Sequence, residues 1–205
     1  MNNKKGYFLT FEGPEASGKS SQIKLLEKYL KIKNIPFIIT REPGGTKFAE
    51  SLRNLILKIK SDINIDEEIL MLMAARSHHI NKVIKPALSQ GKLVISDRFA
   101  DSTFVYQGHV NKFGLQKAKI LHKNILKNFL PNKTFLFELS TSNILARLKK
   151  RKSKNKYDKL DKKFHNQVNR GYKIISNNKR FIKLDASKPI KSIHKKIIIH
   201  INSII

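Results

Sequence analysis

The chain has 205 residues, 42 Lys and Arg against 15 Asp and Glu, and a formal net charge of +27. That length suits one domain with a real core, and an apolar share of 40% spread along the chain excludes a wholly disordered polybasic tail. With no cysteine, disulfides, a thiolate nucleophile and a zinc–thiolate site are all excluded.

Taken in order, strand-like runs alternate with helix-like ones. Lys4 and Lys5 precede only a short apolar run, Tyr7–Phe11, which predicts a first strand and no signal peptide. Lys19–Lys33 carries apolar residues at Ile23, Leu26 and Leu30, the spacing of one helix face. Pro36–Thr40 reads as a second strand, 46–60 as a helix, and Asp66–Gln90 as one long helix. Asp66, Glu67 and Glu68 suit that helix's first turn, and Gly91 its C-terminal cap. Lys92–Ser96 predicts a third strand, Thr134–Leu139 a fourth and Arg180–Leu184 a weaker fifth. Further helices are expected at about 115–128, 142–152, 158–177 and 189–202. Near-continuous apolar strands between helices predict a three-layer α/β domain, a five-stranded parallel sheet flanked by helices, spanning 1–205. The late apolar stretch Ile197–Ile205 is broken by His200, Asn202 and Ser203. It is too short to span a bilayer, so a soluble cytoplasmic protein without a membrane partner is expected.

The charge is unevenly placed. Residues 1–100 carry 17 basic and 10 acidic side chains, and residues 101–205 carry 25 and 5. Only eight of the 42 are arginine, and abundant Lys, Ile and Asn are what an AT-rich coding genome writes. A chain that writes lysine wherever charge suffices keeps arginine where a planar bidentate fork is needed. Arg41 and Arg98 follow predicted strands, Arg53 and Arg76 sit on predicted helices, and Arg147 and Arg151 edge a basic stretch at 147–163. Arg170 and Arg180 receive no role. The seven histidines show no metal-ligand spacing and are read as ordinary.

Gly13-Pro14-Glu15-Ala16-Ser17-Gly18-Lys19-Ser20 matches G-x-x-x-x-G-K-[ST] after a predicted strand and at the start of a predicted helix. Its glycines let the backbone wrap phosphate oxygens, and its N–H groups and helix N-terminus supply positive potential. Lys19 is expected on the β- and γ-phosphates and the Ser20 hydroxyl on Mg²⁺. Asp97, ending the third strand, is a second Mg²⁺ candidate, partly through water, with Arg98 beside it to stabilise a transferring phosphoryl group. The loop alone does not separate an ATPase, a GTPase, a helicase or a small-molecule kinase. No Asn/Thr-Lys-x-Asp base-reading loop is present, which argues against a GTPase. The basic second half also keeps a nucleic-acid binder open, although it lacks Arg/aromatic interleaving and any recognised nucleic-acid motif.

Further residues narrow the choice. Phe11-Glu12-Gly13-Pro14-Glu15, Thr40-Arg41-Glu42-Pro43-Gly44-Gly45-Thr46, Ala74-Ala75-Arg76, Val83–Leu88, Asp97-Arg98-Phe99 and Asp101-Ser102-Thr103 through Tyr106-Gln107-Gly108 resemble the bacterial thymidylate kinases, in order, over about residues 6–190. The resemblance implies a P-loop NTPase-type fold and transfer of the γ-phosphoryl of ATP to dTMP with Mg²⁺, in a homodimer without a specific nucleic-acid partner. It implies ATP on Gly13, Pro14, Glu15, Ala16, Ser17, Gly18, Lys19, Ser20, Ser21 and Arg147. It implies dTMP on Arg41, Pro43, Arg53, Leu72, Arg76, Arg98, Thr103, Tyr106 and Gln107. Within that set Arg41, Arg53 and Arg98 would meet the acceptor phosphate. Arg76, Thr103 and Gln107 would read the thymine, and Tyr106 would crowd the sugar C2′. Glu15 would lie near the deoxyribose. Lys19, Arg98, Arg151 and Glu15 are the implied catalytic residues, with Arg151 on a mobile basic lid at about 147–163. The family's second lid arginine is replaced here, where Asn155-Lys156 stand. Leu72 stands where the family often has an aromatic.

Overall fold

A computed structural model of the chain describes residues 6–57, 62–151 and 157–204. Five parallel strands form one sheet in the order β2-β3-β1-β4-β5. They are β1 (Tyr7–Glu12), β2 (Phe37–Arg41), β3 (Leu93–Asp97), β4 (Lys133–Glu138) and β5 (Phe181–Asp185). Each lies within about a residue of its predicted run. Side chains alternate across the pleat, so each central strand feeds two cores. Phe8, Val94 and Leu136 face one layer with Ile69, Met73, Ile84, Val105 and Val168. Leu9, Phe11, Leu93, Ile95, Phe135 and Phe137 face the other, against Leu26, Leu30, Ile144, Ile193 and Ile197.

The helices are α1 (Lys19–Ile32), α2 (Lys47–Leu57), α3 (Ile65–His79), α4 (Lys85–Ser89), α5 (Ala100–Thr103), α6 (Leu115–Leu126), α7 (Thr141–Lys149), α8 (Lys162–Ile175) and α9 (Ile190–Asn202). The expected helix at 46–60 corresponds to α2, and residues 58–61 lie outside the described residues. The expected single helix Asp66–Gln90 is interrupted. α3 passes through a π-helical turn, Ile80–Ile84, into α4. Pro86 lies in the first turn of α4, and a proline there has no N–H to give to a regular ladder. Asn64 and Glu67 cap the start of α3 reciprocally, one residue before the expected start, and Asp66, Glu67 and Glu68 occupy its first turn as expected. Gly91 ends the assembly at φ 71°, its N–H donating to the Leu88 carbonyl as Lys92 N–H reaches Ala87. The helix expected at 158–177 starts later. A 3₁₀ turn, Tyr157–Lys159, comes first, and the Asp161 carboxylate then caps α8 at Phe164 N–H.

One helical stretch is unforeseen. α5 continues into a π-helical segment, Phe104–Val110, which packs against α6 and α8. Gly108 leaves room for that packing, since a Cβ there would lie 3.2 Å from the Ala118 Cβ.

The register places the carboxyl ends of the strands side by side. Phe11 and Arg41 both pair with Asp97. The connection out of β1 leads to β2 on one side of the sheet, while β4 lies on the other. This reversal of strand order is where open α/β sheets leave a crevice.

Candidate active site

A cleft of about 540 Å³ opens at that crevice, lined by Glu15 to Ser21 on one side and by Arg41, Arg53, Leu72, Arg76 and Thr103 on another. Glu42, Pro43, Asp97, Arg98, Tyr106, Gln107, Arg151 and Tyr157 also line it. The structure therefore brings together nearly all the residues expected from sequence. Gly13, Pro14 and Arg147 fall outside the lining.

The loop between β1 and α1 is held from behind. Gly13 has φ 137°, and a Cβ would stand 2.6 Å from the Phe137 carbonyl oxygen of β4. Gly18, at φ 93°, caps α1. The Lys19 ammonium folds back to donate to the carbonyls of Gly13 at 3.0 Å and Pro14 at 2.8 Å, and to Ser17 Oγ at 3.3 Å. It is buried, and no carboxylate among the described residues is in contact with it. Burial, then the Arg98 charge, bring its pKa down from 10.5 to about 8, against the pull of Asp97, Glu15 and Glu12. Ser20 Oγ donates to Asp97 Oδ2 at 3.1 Å, so the two expected magnesium ligands are adjacent.

Arg98 leaves β3 at φ 70°, a left-handed backbone that turns its side chain back over the loop. Its guanidinium donates to Glu15 at 2.9 Å, Ser102 Oγ at 3.0 Å and Tyr172 OH at 3.1 Å, and lies 5.1 Å from the Tyr106 ring centroid. Tyr106 OH donates to both Glu15 oxygens, at 2.8 and 2.7 Å. Beneath them lies Glu12, fully buried, accepting from Phe99 N–H at 2.7 Å, Ser102 Oγ at 2.6 Å and Tyr172 OH at 2.9 Å. Burial, then the charge of Asp101, raise its pKa to about 7 although the Arg98 charge and the bonds from Ser102 and Phe99 pull it down.

The other arginines differ in how they are held. Arg41 is exposed and forms a fork with Glu50 at 3.2 and 2.9 Å. Arg53 donates to the Pro43 carbonyl at 2.8 Å, and burial followed by the Arg41 charge lowers its pKa. Arg76 is buried. It donates through Nε to Glu42 at 2.6 Å and through Nη2 to Thr103 Oγ1 at 2.8 Å, and its Nη1 has no partner among the described residues. Gln107 Nε2 donates to Glu68 at 2.6 Å.

Where the lid was expected, Arg151 lines the cleft and donates to both oxygens of buried Asp158, at 3.2 and 3.0 Å. Residues 152–156, Asn155 and Lys156 among them, lie outside the described residues. Arg147 instead donates to the carbonyls of Ala16 at 3.2 Å and Ala186 at 2.8 Å, beside the phosphate loop. Arg180, without a role in the sequence reading, forks onto Asp101 at 2.7 Å from each terminal nitrogen and also donates to Thr134 Oγ1 at 2.6 Å. Sequence reasoning also missed Glu12, Glu42, Glu68 and Asp158, the carboxylates that hold these cationic and polar side chains. Glu12 and Glu42 lie inside motifs already singled out, so an acid beside a motif residue was the available signal.

A parallel sheet in this order, with a G-x-x-x-x-G-K-S loop wrapped at the crevice facing an arginine-lined wall, defines a P-loop NTPase-type protein. Comparison with known proteins narrows the class. The thymidylate kinase family profile matches residues 11–197. Thymidylate kinases of Mycoplasma capricolum and Halothermothrix orenii are 40% and 37% identical over 196 residues, covering 93% and 94% of this chain and 92% and 95% of theirs. That of Rickettsia bellii is 39% identical over 205 residues, 98% of each chain. The crystal structure of the Ehrlichia chaffeensis thymidylate kinase superposes with a TM-score of 0.74 at 31% identity, covering 96% of this chain and 98% of that one. The chain belongs to the thymidylate kinase family.

Proposed function

We propose that this protein transfers the γ-phosphoryl of ATP to dTMP, giving ADP and dTDP, with Mg²⁺. The observation that carries the acceptor reading is the single unpartnered guanidinium nitrogen of Arg76, buried in the wall of a cleft that begins at Lys19. It supplies a donor to a base carbonyl with Leu72 beside it to cover an apolar ring face.

Phosphoryl transfer asks the protein for position and charge more than for covalent chemistry. ATP would lie on residues 13–21, its terminal phosphates drawing Lys19 off the loop carbonyls, with Arg147 toward the adenine. Ser20 and Asp97 are oxygen donors at contact distance, which suits a hard cation. Bound there, Mg²⁺ would neutralise charge on the β- and γ-phosphates. Arg41, Arg53 and Arg98, with Pro43 shaping the loop, would present the acceptor phosphate. Thr103 and Gln107 would flank the base, while Tyr106 and Glu15 would bound the sugar. Arg151 would approach the transferring group from the lid at about 147–163. The acceptor oxygen attacks phosphorus as the bond to the β-phosphate oxygen breaks, without a covalent enzyme intermediate.

A homodimer in the cytoplasm completes the reading. Leu70 on α3 and Ile120 on α6 stand 54% and 57% exposed, apolar surface that a second copy would cover. Among the described residues no helix is long and apolar enough to cross a membrane. The deciding experiment is a coupled assay of ADP release with ATP, Mg²⁺ and a panel of dTMP, dUMP, dCMP, dGMP and AMP. A clear preference for dTMP is expected. No preference would overturn the base assignment.

A further inference from the structure

Arg76 is held by a chain of buried groups. Its Nε donates to Glu42 Oε2 at 2.6 Å, and Nη2 donates to Thr103 Oγ1 at 2.8 Å and the Phe99 carbonyl at 3.3 Å. The guanidinium lies 5.2 Å from the Phe99 ring centroid. A planar fork fixed at two of its three nitrogens has its third direction fixed as well. The partnerless Nη1 is therefore aimed by Glu42 and Thr103.

Glu42 is in turn held from behind. Its second oxygen, Oε1, meets His79 Nδ1 at 2.9 Å, and the backbone N–H of Glu42 donates to the Asp97 carbonyl at 3.0 Å. A carboxylate oxygen accepts, so Nδ1 carries the hydrogen. His79 has no exposed surface, and its Nε2 sits 2.7 Å from Thr40 Oγ1 on β2. The neighbouring loop leaves space for this ring only because it is glycine. At Gly45, φ 85°, a Cβ would stand 2.5 Å from His79 Nε2. The chain thus runs Thr40, His79, Glu42, Arg76, from the second strand to the cleft wall. An imidazole wedged at one end prevents Glu42 from rotating off Arg76. Leaving Nε–H unpaired in a dry wall would let the fork turn to find another acceptor.

We infer that His79 and Glu42 are positioning residues for base discrimination, holding Arg76 so that one N–H direction faces the acceptor and favours a pyrimidine carbonyl over an amino group. The inference rests on the acceptor reading above and adds the side chains that enforce it. An amino group would meet a donor already fixed in place, and a site built on a fixed donor rejects the analogue that cannot accept from it. A guanidinium free to swing would lose that rejection while still binding the rest of the nucleotide.

The test contrasts two polar substitutions of one histidine. Asn at 79 places its amide nitrogen near where Nδ1 stands and keeps the bond to Glu42. Gln reaches toward Thr40 and gives that bond up. Wild type, His79→Asn, His79→Gln and Glu42→Gln are compared by kcat and KM for dTMP and dCMP. The Arg76 Nε–H resonance in the ligand-free protein, assigned by its loss in Arg76→Lys, is followed for solvent exchange. The expectation for His79→Gln and Glu42→Gln is about tenfold loss of the dTMP-to-dCMP ratio of kcat/KM, carried mostly by KM for dTMP, with faster exchange of that resonance. His79→Asn retains most of both. Unchanged exchange in His79→Gln overturns the positioning chain, and so does an equal loss for both acceptors. Fast exchange with an unchanged acceptor ratio also overturns it. A wild-type enzyme with no preference for dTMP overturns the function reading instead, and the resonance alone then decides whether His79 and Glu42 hold Arg76.

Discussion

The buried Lys19 ammonium makes the rate depend on pH in a direction that can be worked out. In the free protein its pKa is about 8, against an ordinary 10.5, because burial and the Arg98 charge disfavour the cation. The fold thus works against the charged form by roughly 3 kcal/mol. The cation is the form that meets phosphate. With a pKa near 8 about nine-tenths of the molecules carry it at pH 7 and about one-tenth at pH 9. kcat/KM for ATP, which reports the ATP-free form that ATP meets, is expected to fall about tenfold between those two pH values. Bound phosphates favour the cation, so the corresponding limb of kcat should move to higher pH. The assay is steady-state ADP release at saturating dTMP and constant ionic strength, from pH 6.5 to 9.5. Lys19→Arg serves as the control. Its charge is permanent, so the alkaline limb should vanish even though the larger group lowers the rate. A flat kcat/KM up to pH 9.5, or a limb that survives in Lys19→Arg, would refute the assignment.

Other outcomes follow from the same geometry. Arg151→Lys should lower kcat by about 10² while KM changes little, because a point charge cannot keep the fork to Asp158 and still reach the transferring group. An equal effect from Lys117→Ala, on the exposed face of α6, would mean that only bulk charge matters. Arg180→Met removes the ion-pair partner of Asp101, which is buried at 1% exposure, and urea unfolding should show a loss of about 3–5 kcal/mol. A loss under about 1 kcal/mol would mean that Asp101 is satisfied by other groups. His122 is buried beside Phe129, and burial, then the Arg76 charge, lower its pKa from 6.5 to about 4. The unfolded chain then binds more protons between those values, so stability present above pH 6.5 is lost as pH falls toward 4. Between pH 7 and 4.5 about 2 kcal/mol of that loss should disappear in His122→Met, read from paired urea titrations.

The sheet was legible because its central strands are buried on both faces, so that Leu93-Val94-Ile95 and Phe135-Leu136-Phe137 stand out as continuous apolar runs. The phosphate loop was legible because the spacing of Gly13, Gly18 and Lys19 follows from the shape of a phosphate. The stretch after Arg98 was not. Asp101, Ser102 and Gly108 break helical periodicity there, and what holds it is contact with α6 and α8, which no local pattern reveals. The acids behind the arginines were hidden for a similar reason. Arg76 meets Glu42 from beyond β2 and Thr103 from α5, and only the strand register decides that these segments converge. Arg180 looked idle because its partner Asp101 lies 79 positions away.

The π-helical segment Phe104–Val110 has a consequence for how this chain tolerates change. Such a segment holds an extra residue per turn, and one deletion would restore an ordinary helix. Everything on one side of the cut would then rotate by about 100° relative to the other. Thr103, Tyr106 and Gln107 could no longer face the cleft together while Gly108 still seats against Ala118. Length is therefore more tightly constrained here than identity. Among relatives, gaps within 104–110 should be nearly absent even where side chains other than Tyr106, Gln107 and Gly108 vary, and an engineer reshaping the cleft should exchange side chains there and leave the residue count alone.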